Sequence, residues 1–168
     1  MEDKIEKHTI AVLVDNEPGV LARVIGLFSG RGYNIESLTV AEVDTAGHTS
    51  RITLVTSGTR MIVEQIKAQL DRLVPVHKVR DLTDDGPRVE RELALVKVAG
   101  TGDKRIEALR LADIYKANVV DATLSSFIFE LVGTTDHVEE FIALMNQLGM
   151  VETSRTGVLA MSKGAAGF

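Results

Sequence analysis

Thr9-Ile10-Ala11-Val12-Leu13-Val14-Asp15-Asn16-Glu17-Pro18-Gly19-Val20-Leu21 is the stretch on which the fold turns. Its first six residues form a short apolar, β-branched run, the pattern of a buried strand. The run stops at Asp15-Asn16-Glu17-Pro18-Gly19, a dense turn signal. Beyond it, Val20, Leu21, Val24, Ile25 and Phe28 recur at helical spacing and make one apolar face. Gly30 and Gly32 then stand where helices commonly stop. A strand thus passes through a short polar turn into a helix.

Reading outward, residues 34–43 form a second strand, with Leu38 and Val40 on one face. Thr45-Ala46-Gly47-His48 is a turn, and Arg51-Ile52-Thr53-Leu54-Val55-Thr56 alternates as a third strand, so the two predict a hairpin. Ser57-Gly58-Thr59 breaks the chain with capping residues. Ile62, Ile66, Leu70 and Leu73 mark a second amphipathic helix. Residues 74–79 are a fourth strand whose Pro75 points to an edge or a strand start. Leu82-Thr83-Asp84-Asp85-Gly86-Pro87-Arg88 is polar and central, and reads as a linker.

The second half repeats the order. Residues 93–98 are a strand, 103–115 a helix, 118–122 and 127–132 strands, and 136–147 a helix with Val138, Phe141, Ile142 and Met145 facing inward. Asp136 with Glu139 reads as a capping pair. Residues 150–161 supply a last extended segment, Phe127-Ile128-Phe129 reads as buried on both faces, and the Gly-rich tail from 163 to 168 as frayed. The predicted class is α+β: two tandem ferredoxin-like βαββαβ units, over residues 1–81 and 91–168, joined by a linker at 82–90. Each places two helices on one face of a four-stranded antiparallel sheet. That leaves one sheet face uncovered and a free edge, a hazard unless paired, so dimerisation by edge or helix pairing is expected.

Composition narrows the function. The 168 residues hold no cysteine, which excludes disulfides, Fe–S clusters, thiolate zinc sites and cysteine nucleophiles. The net charge is −5 with no basic block, tryptophan is absent and aromatics are 4 %, all unfavourable to nucleic acid. No apolar run reaches the roughly 20 residues of a membrane span. The charged N-terminal run Met1-Glu2-Asp3-Lys4-Ile5-Glu6-Lys7 has no signal-peptide core, so a cytoplasmic location is expected.

Catalytic constellations are missing. His8, His48, His77 and His137 have no partner at metal spacing and read as surface or strand-end residues. Gly100-Thr101-Gly102-Asp103-Lys104 fails the spacing of a phosphate loop and reads as a strand end opening a helix. Gly30-Arg31-Gly32 follows a helix and lacks the third glycine of a dinucleotide fingerprint. No catalytic residue and no metal site is assigned.

The informative chemistry is at the first turn. Pro18 presets the first helical backbone angle, and Gly19 lets a ligand approach the main chain. The first N–H groups of a helix have no internal partner and attract an anion. Asn16 offers a donor and an acceptor beside them. Two readings stand: a tight turn capped by Asn16, or a seat for an α-amino acid carboxylate. Asp15 and Glu17 divide likewise between favouring the helix dipole and contacting a ligand amine.

Asp15-x-x-Pro18-Gly19-x-Leu21 on such a unit resembles the ACT domain, a family of amino-acid-sensing modules. A longer run narrows this. Asn16-Glu17-Pro18-Gly19-Val20-Leu21-Ala22-Arg23-Val24, Leu27-Phe28-Ser29 and Arg31-Gly32-Tyr33-Asn34-Ile35-Glu36-Ser37-Leu38 are similar to the small regulatory subunits of acetolactate synthase (acetohydroxyacid synthase). Ser50-Arg51-Ile52-Thr53, Val89-Glu90-Arg91-Glu92-Leu93, Arg155-Thr156-Gly157 and Ser162-Lys163-Gly164 support it.

The resemblance implies an N-terminal ACT domain, an ACT-like C-terminal domain, and a homodimer through the ACT units. It implies a feedback site for a branched-chain amino acid, valine first. Asn16, Gly19, Val20 and Leu21 of one chain would form one wall; Asn34 and Ile35 of the other would form the second. Ala22 stands where many relatives have serine. Chemistry would lie in a larger catalytic subunit carrying thiamine diphosphate, magnesium and FAD, which joins two 2-ketoacids with loss of CO₂. This chain would hold no cofactor. The alternatives are a stand-alone ACT-type regulator, which a helix-turn-helix or basic patch would favour, and an enzyme on a ferredoxin-like fold, which a cluster of titratable residues would favour.

Overall fold

A computed structural model describes residues 4–168. The first three residues of the charged N-terminal run lie outside them. Of these, residues 4–89 pack with Val158–Phe168 into one compact unit, and Glu90–Gly157 forms the other.

In the first unit the chain forms β1 (Glu6–Asp15), α1 (Val20–Ser29), β2 (Ser37–Asp44), β3 (Thr49–Gly58), α2 (Arg60–Asp71) and β4 (Val76–Asp81). The sheet is antiparallel in the order β2-β3-β1-β4. Pro75 precedes β4, which is an edge strand, as its missing N–H requires. Ile10, Val12 and Val14 of β1, Ile52 and Leu54 of β3, Val20, Val24, Leu27 and Phe28 of α1, and Val63, Ile66 and Leu70 of α2 make the core. Thr59 caps α2 by accepting the Ile62 N–H.

The opposite face of this sheet is covered, contrary to the sequence reading. Val158, Ala160 and Phe168 pack against Ala11, Val55 and Leu82. The Val158 N–H donates to Ser37 Oγ at 2.7 Å, the Arg51 guanidinium to the Ala160 carbonyl at 2.7 Å, and the Lys163 N–H to the Pro87 carbonyl at 2.9 Å. The tail read as frayed therefore lies on the first sheet. Residues 158–168, read with the second domain, belong to the first unit. Small residues such as Ala11 and Ala160 leave room for a strand laid across the face.

The second unit runs β5 (Arg88–Ala99), α3 (Gly102–Ile114), β6 (Asn118–Ala122), β7 (Ser126–Gly133), α4 (Thr135–Gln147) and β8 (Met150–Arg155). Its strands lie in the order β6-β7-β5-β8. Val96, Phe127, Phe129, Leu131, Val138, Phe141 and Met145 anchor its core. Thr134, not Asp136, caps α4: its hydroxyl accepts the His137 N–H at 3.3 Å. Ile128 is half-buried between buried Phe127 and Phe129, so β7 is buried fully on one face only. The last extended segment divides at Gly157 (φ +85°) into β8 and β9 (Leu159–Ser162). Each unit is thus the α+β, ferredoxin-like arrangement that the pattern implied. No helix among the described residues is long and apolar enough to cross a membrane.

Candidate functional site

The turn from β1 to α1 is held by the main chain. The Asp15 N–H donates to the Pro75 carbonyl at 2.9 Å, and the Asn16 N–H to the His48 carbonyl at 2.7 Å. His77 Nε2 meets Asp15 Oδ1 at 2.5 Å from the neighbouring strand. Gly19 occupies the cap position of α1 with φ +84°, and no side chain caps the helix. That answers one of the two sequence readings: Asn16 is not a cap. It stands exposed beside a helix start whose cap site holds only glycine.

Space is available there. A Cβ built on Gly19 meets nothing within 4 Å. Val20 is buried in the core, whereas Leu21 and Ile25 emerge on the outer side of α1 at 37 % and 36 % exposure. Uncapped N–H groups, an exposed amide and an adjacent apolar side chain are the elements that a carboxylate ligand with a hydrocarbon tail would use.

Asn34 and Ile35 lie elsewhere. They precede β2, past the Gly32 turn (φ +68°) that follows the end of α1 at Ser29. The Asn34 carbonyl accepts the Thr56 hydroxyl at 2.6 Å, its residue otherwise exposed, and Ile35 packs partly on the core. Glu36 locks this segment to β3: its N–H donates to the Val55 carbonyl at 2.8 Å, and its carboxylate accepts the Ser57 hydroxyl. Lys7 pairs with the same carboxylate at 2.9 Å. The Ser57 bond, then Lys7, holds the Glu36 carboxyl below its ordinary value.

Along β3, Asp15 is level with Thr49 while Ser37 is level with Val55. Six strand residues span roughly 20 Å. One chain therefore does not bring Asn16 and Gly19 together with Asn34 and Ile35; the two sets stand at opposite ends of the sheet.

A second cluster was not legible in the sequence. His8, read as a strand-end residue, is buried, and its Nδ1 meets Asp81 Oδ2 at 2.8 Å. His8, Asp81 and Asp84 are near enough to hold a metal ion. A cation is already there: the Lys67 ammonium lies 3.9 Å from both carboxylates and 2.7 Å from Glu64. Asp81 Oδ1 accepts the Thr83 and Asp84 N–H groups at 3.0 and 3.4 Å, so the cluster pins the start of the interunit linker. The partners come from β1, β4 and α2, residues far apart in sequence, which is why spacing gave no sign of them.

Comparison with known proteins agrees with this architecture. Residues 10–78 match the ACT domain of the acetohydroxyacid synthase small-subunit type, and residues 91–164 match the family described as the small subunit of acetolactate synthase. The probable acetolactate synthase small subunit of Archaeoglobus fulgidus is 49 % identical over 158 residues, covering 94 % of this chain and 98 % of that protein. The isozyme 3 small subunit of Escherichia coli is 43 % identical over 159 residues, covering 94 % and 96 %. The crystal structure of the acetolactate synthase small subunit from Thermotoga maritima superposes with a TM-score of 0.86 at 38 % identity, covering 96 % of this chain and 99 % of that one. The chain therefore belongs to the family of acetolactate synthase small subunits.

Proposed function

We propose that this chain is the regulatory subunit of an acetolactate synthase. It raises the activity of a separate catalytic subunit and makes that activity sensitive to a branched-chain amino acid, valine first, in valine, isoleucine and leucine biosynthesis. Thiamine diphosphate, magnesium and FAD belong to the catalytic partner, and the chain itself performs no ketoacid condensation.

The observation that carries the reading is the uncapped start of α1. Gly19 leaves helix N–H groups without a side-chain partner and open space above them. The effector carboxylate sits on those groups, its ammonium on the oxygens of the Asn16–Glu17 turn, and its branched side chain against Leu21. A second copy closes the site with Asn34 and Ile35, since one chain keeps these about 20 Å away. The exposed apolar margin of Leu21, Ile25 and Val40 supports pairing of copies along α1 and β2. Effector binding changes the partner only if two states of the subunit differ in affinity, a coupling of about 1–3 kcal/mol.

Calorimetry with valine tests the sensor, and reconstitution with the catalytic subunit tests the assignment. Saturable heat, a higher catalytic rate on mixing and inhibition of the mixture by valine are the results expected. No heat and no thermal shift at millimolar valine would remove the feedback role. An unchanged rate on mixing would remove the regulatory role itself.

A further inference from the structure

The outer face of the first sheet gathers Arg51 of β3 with Lys78 and Arg80 of β4. Register puts them there: Leu13 of β1 is opposite Arg51 on one side and Lys78 on the other, and Ala11 is opposite Arg80. All three cations surround the Phe168 ring, at 4.9, 5.7 and 5.4 Å from its centroid for Arg51, Arg80 and Lys78. Arg80 has a carboxylate partner in Asp85 at 2.7 Å. Among the described residues no carboxylate pairs with Arg51 or Lys78; the Arg51 guanidinium donates to a carbonyl instead. Burial, then the neighbouring Arg80 charge, holds Arg51 below the usual arginine value. In a chain of net charge −5 this face is a local exception.

The segment covering the face is held unevenly. Val158 and Ala160 are buried, and β9 is tied down by the bonds to Ser37 and Arg51. Residues 163–167, Lys-Gly-Ala-Ala-Gly, are all exposed. They hang between the Lys163 bond to Pro87 and a 3.4 Å bond from Arg80 to the Gly167 carbonyl. Gly-rich chain loses much conformational freedom on ordering, and of residues 163–168 only Phe168 is half-buried to offset that cost. Residues 163–167 thus have the exposed backbone and sparse apolar contact of segments that open at low cost.

We propose that residues 163–168 are a self-bound latch over a docking surface for an acidic, aromatic-bearing peptide segment of a partner protein. Lifting the latch uncovers Arg51, Lys78 and Arg80 while β9 stays in place. Incoming carboxylates pair with the cations that the latch leaves uncompensated, and an aromatic side chain takes the seat of Phe168. That seat favours a peptide over a bare phosphate, which would leave it unfilled.

The test titrates a fluorescent glutamate-rich peptide carrying two phenylalanines. It is added to the full chain, to the chain ending at Ser162, to Phe168→Ala, and to Lys78→Glu/Arg80→Glu in the shortened chain. A latch closed about nine-tenths of the time weakens apparent affinity about ten-fold. Shortening is expected to recover about that factor, Phe168→Ala part of it, and the double charge reversal to abolish the gain. Lys104→Glu, exposed on the other unit, is expected to leave it unchanged. Thermal unfolding checks each variant, and Phe168→Ala decides the matter if the shortened chain does not fold. Equal or weaker binding without the latch, or a gain that survives charge reversal, overturns the proposal.

Discussion

Gly19 sits at φ +84° with open space where a Cβ would stand. A left-handed conformation costs an L-residue roughly 1–2 kcal/mol, and nothing else obstructs a side chain there. Gly19→Asp is therefore expected to fold with a modest loss of stability and to lose valine binding altogether, by filling the seat and setting a charge against the ligand carboxylate. Calorimetry beside chemical unfolding separates the two effects; a variant that still binds valine places the site elsewhere. Glu36 carries a second prediction. Its folded carboxyl titrates below the ordinary value because Ser57 and Lys7 hold the charged form. The unfolded chain then binds the proton first, so stability falls as pH drops through and below the ordinary glutamate value of about 4.3. Glu36→Gln is expected to flatten part of that acid slope, measured by urea unfolding at several pH values. An identical slope in both proteins would show that the anchor of Asn34 and Ile35 does not depend on this charge. The place of Asn16 and Gly19 in a strand-to-helix turn was legible because a local motif contains them. The place of His8 was not legible: its partner Asp81 arrives through the sheet and is itself paired with Lys67 of helix α2.

Helix α1 and strand β2 leave an apolar margin, with Leu21, Ile25 and Val40 between 36 % and 43 % exposed. Val40 pairs with Ile52, so it lies on the helix-bearing side of an edge strand. Leu21→Glu with Val40→Glu adds charge to that margin without touching the core. The double variant is expected to shift the protein from dimer toward monomer in sedimentation at micromolar concentration and to weaken valine binding with it. A dimer that persists unchanged argues for pairing through another surface. Most elements were legible because their apolar periods are strong. The second half shows where that fails. Helix α3 buries only Ala108 and Ala112, which give a weak pattern. β5 begins at Arg88, inside the expected linker, and its polar start is half-buried or exposed, so no apolar pattern marks it.

The tandem plan of the molecule was visible in the order of elements, but the place of its last residues was not. A small, Gly-rich tail has no local signal for docking; its burial depends on Ala11, Val55 and Leu82, residues far back in the chain. Residues 1–89 alone would lose that cover and expose those side chains. We expect this fragment to aggregate or to melt well below a chain in which Glu90–Gly157 is replaced by a flexible glycine-serine linker, which keeps Val158–Phe168 in cis. Differential scanning fluorimetry and light scattering compare them. Equal behaviour would mean that the first sheet does not need its cover.

Because β9 is seated on the first sheet while its sequence follows the second unit, the first unit is built from two stretches of chain that hold each other by contacts of their own and not through the linker. A protease cut at the exposed Asp84-Asp85 turn would produce two bands on a denaturing gel and one peak on gel filtration. The carboxy-terminal fragment would still be knitted into the amino-terminal one through Ser37 and Arg51. The chain is, in effect, a loop closed by hydrogen bonds.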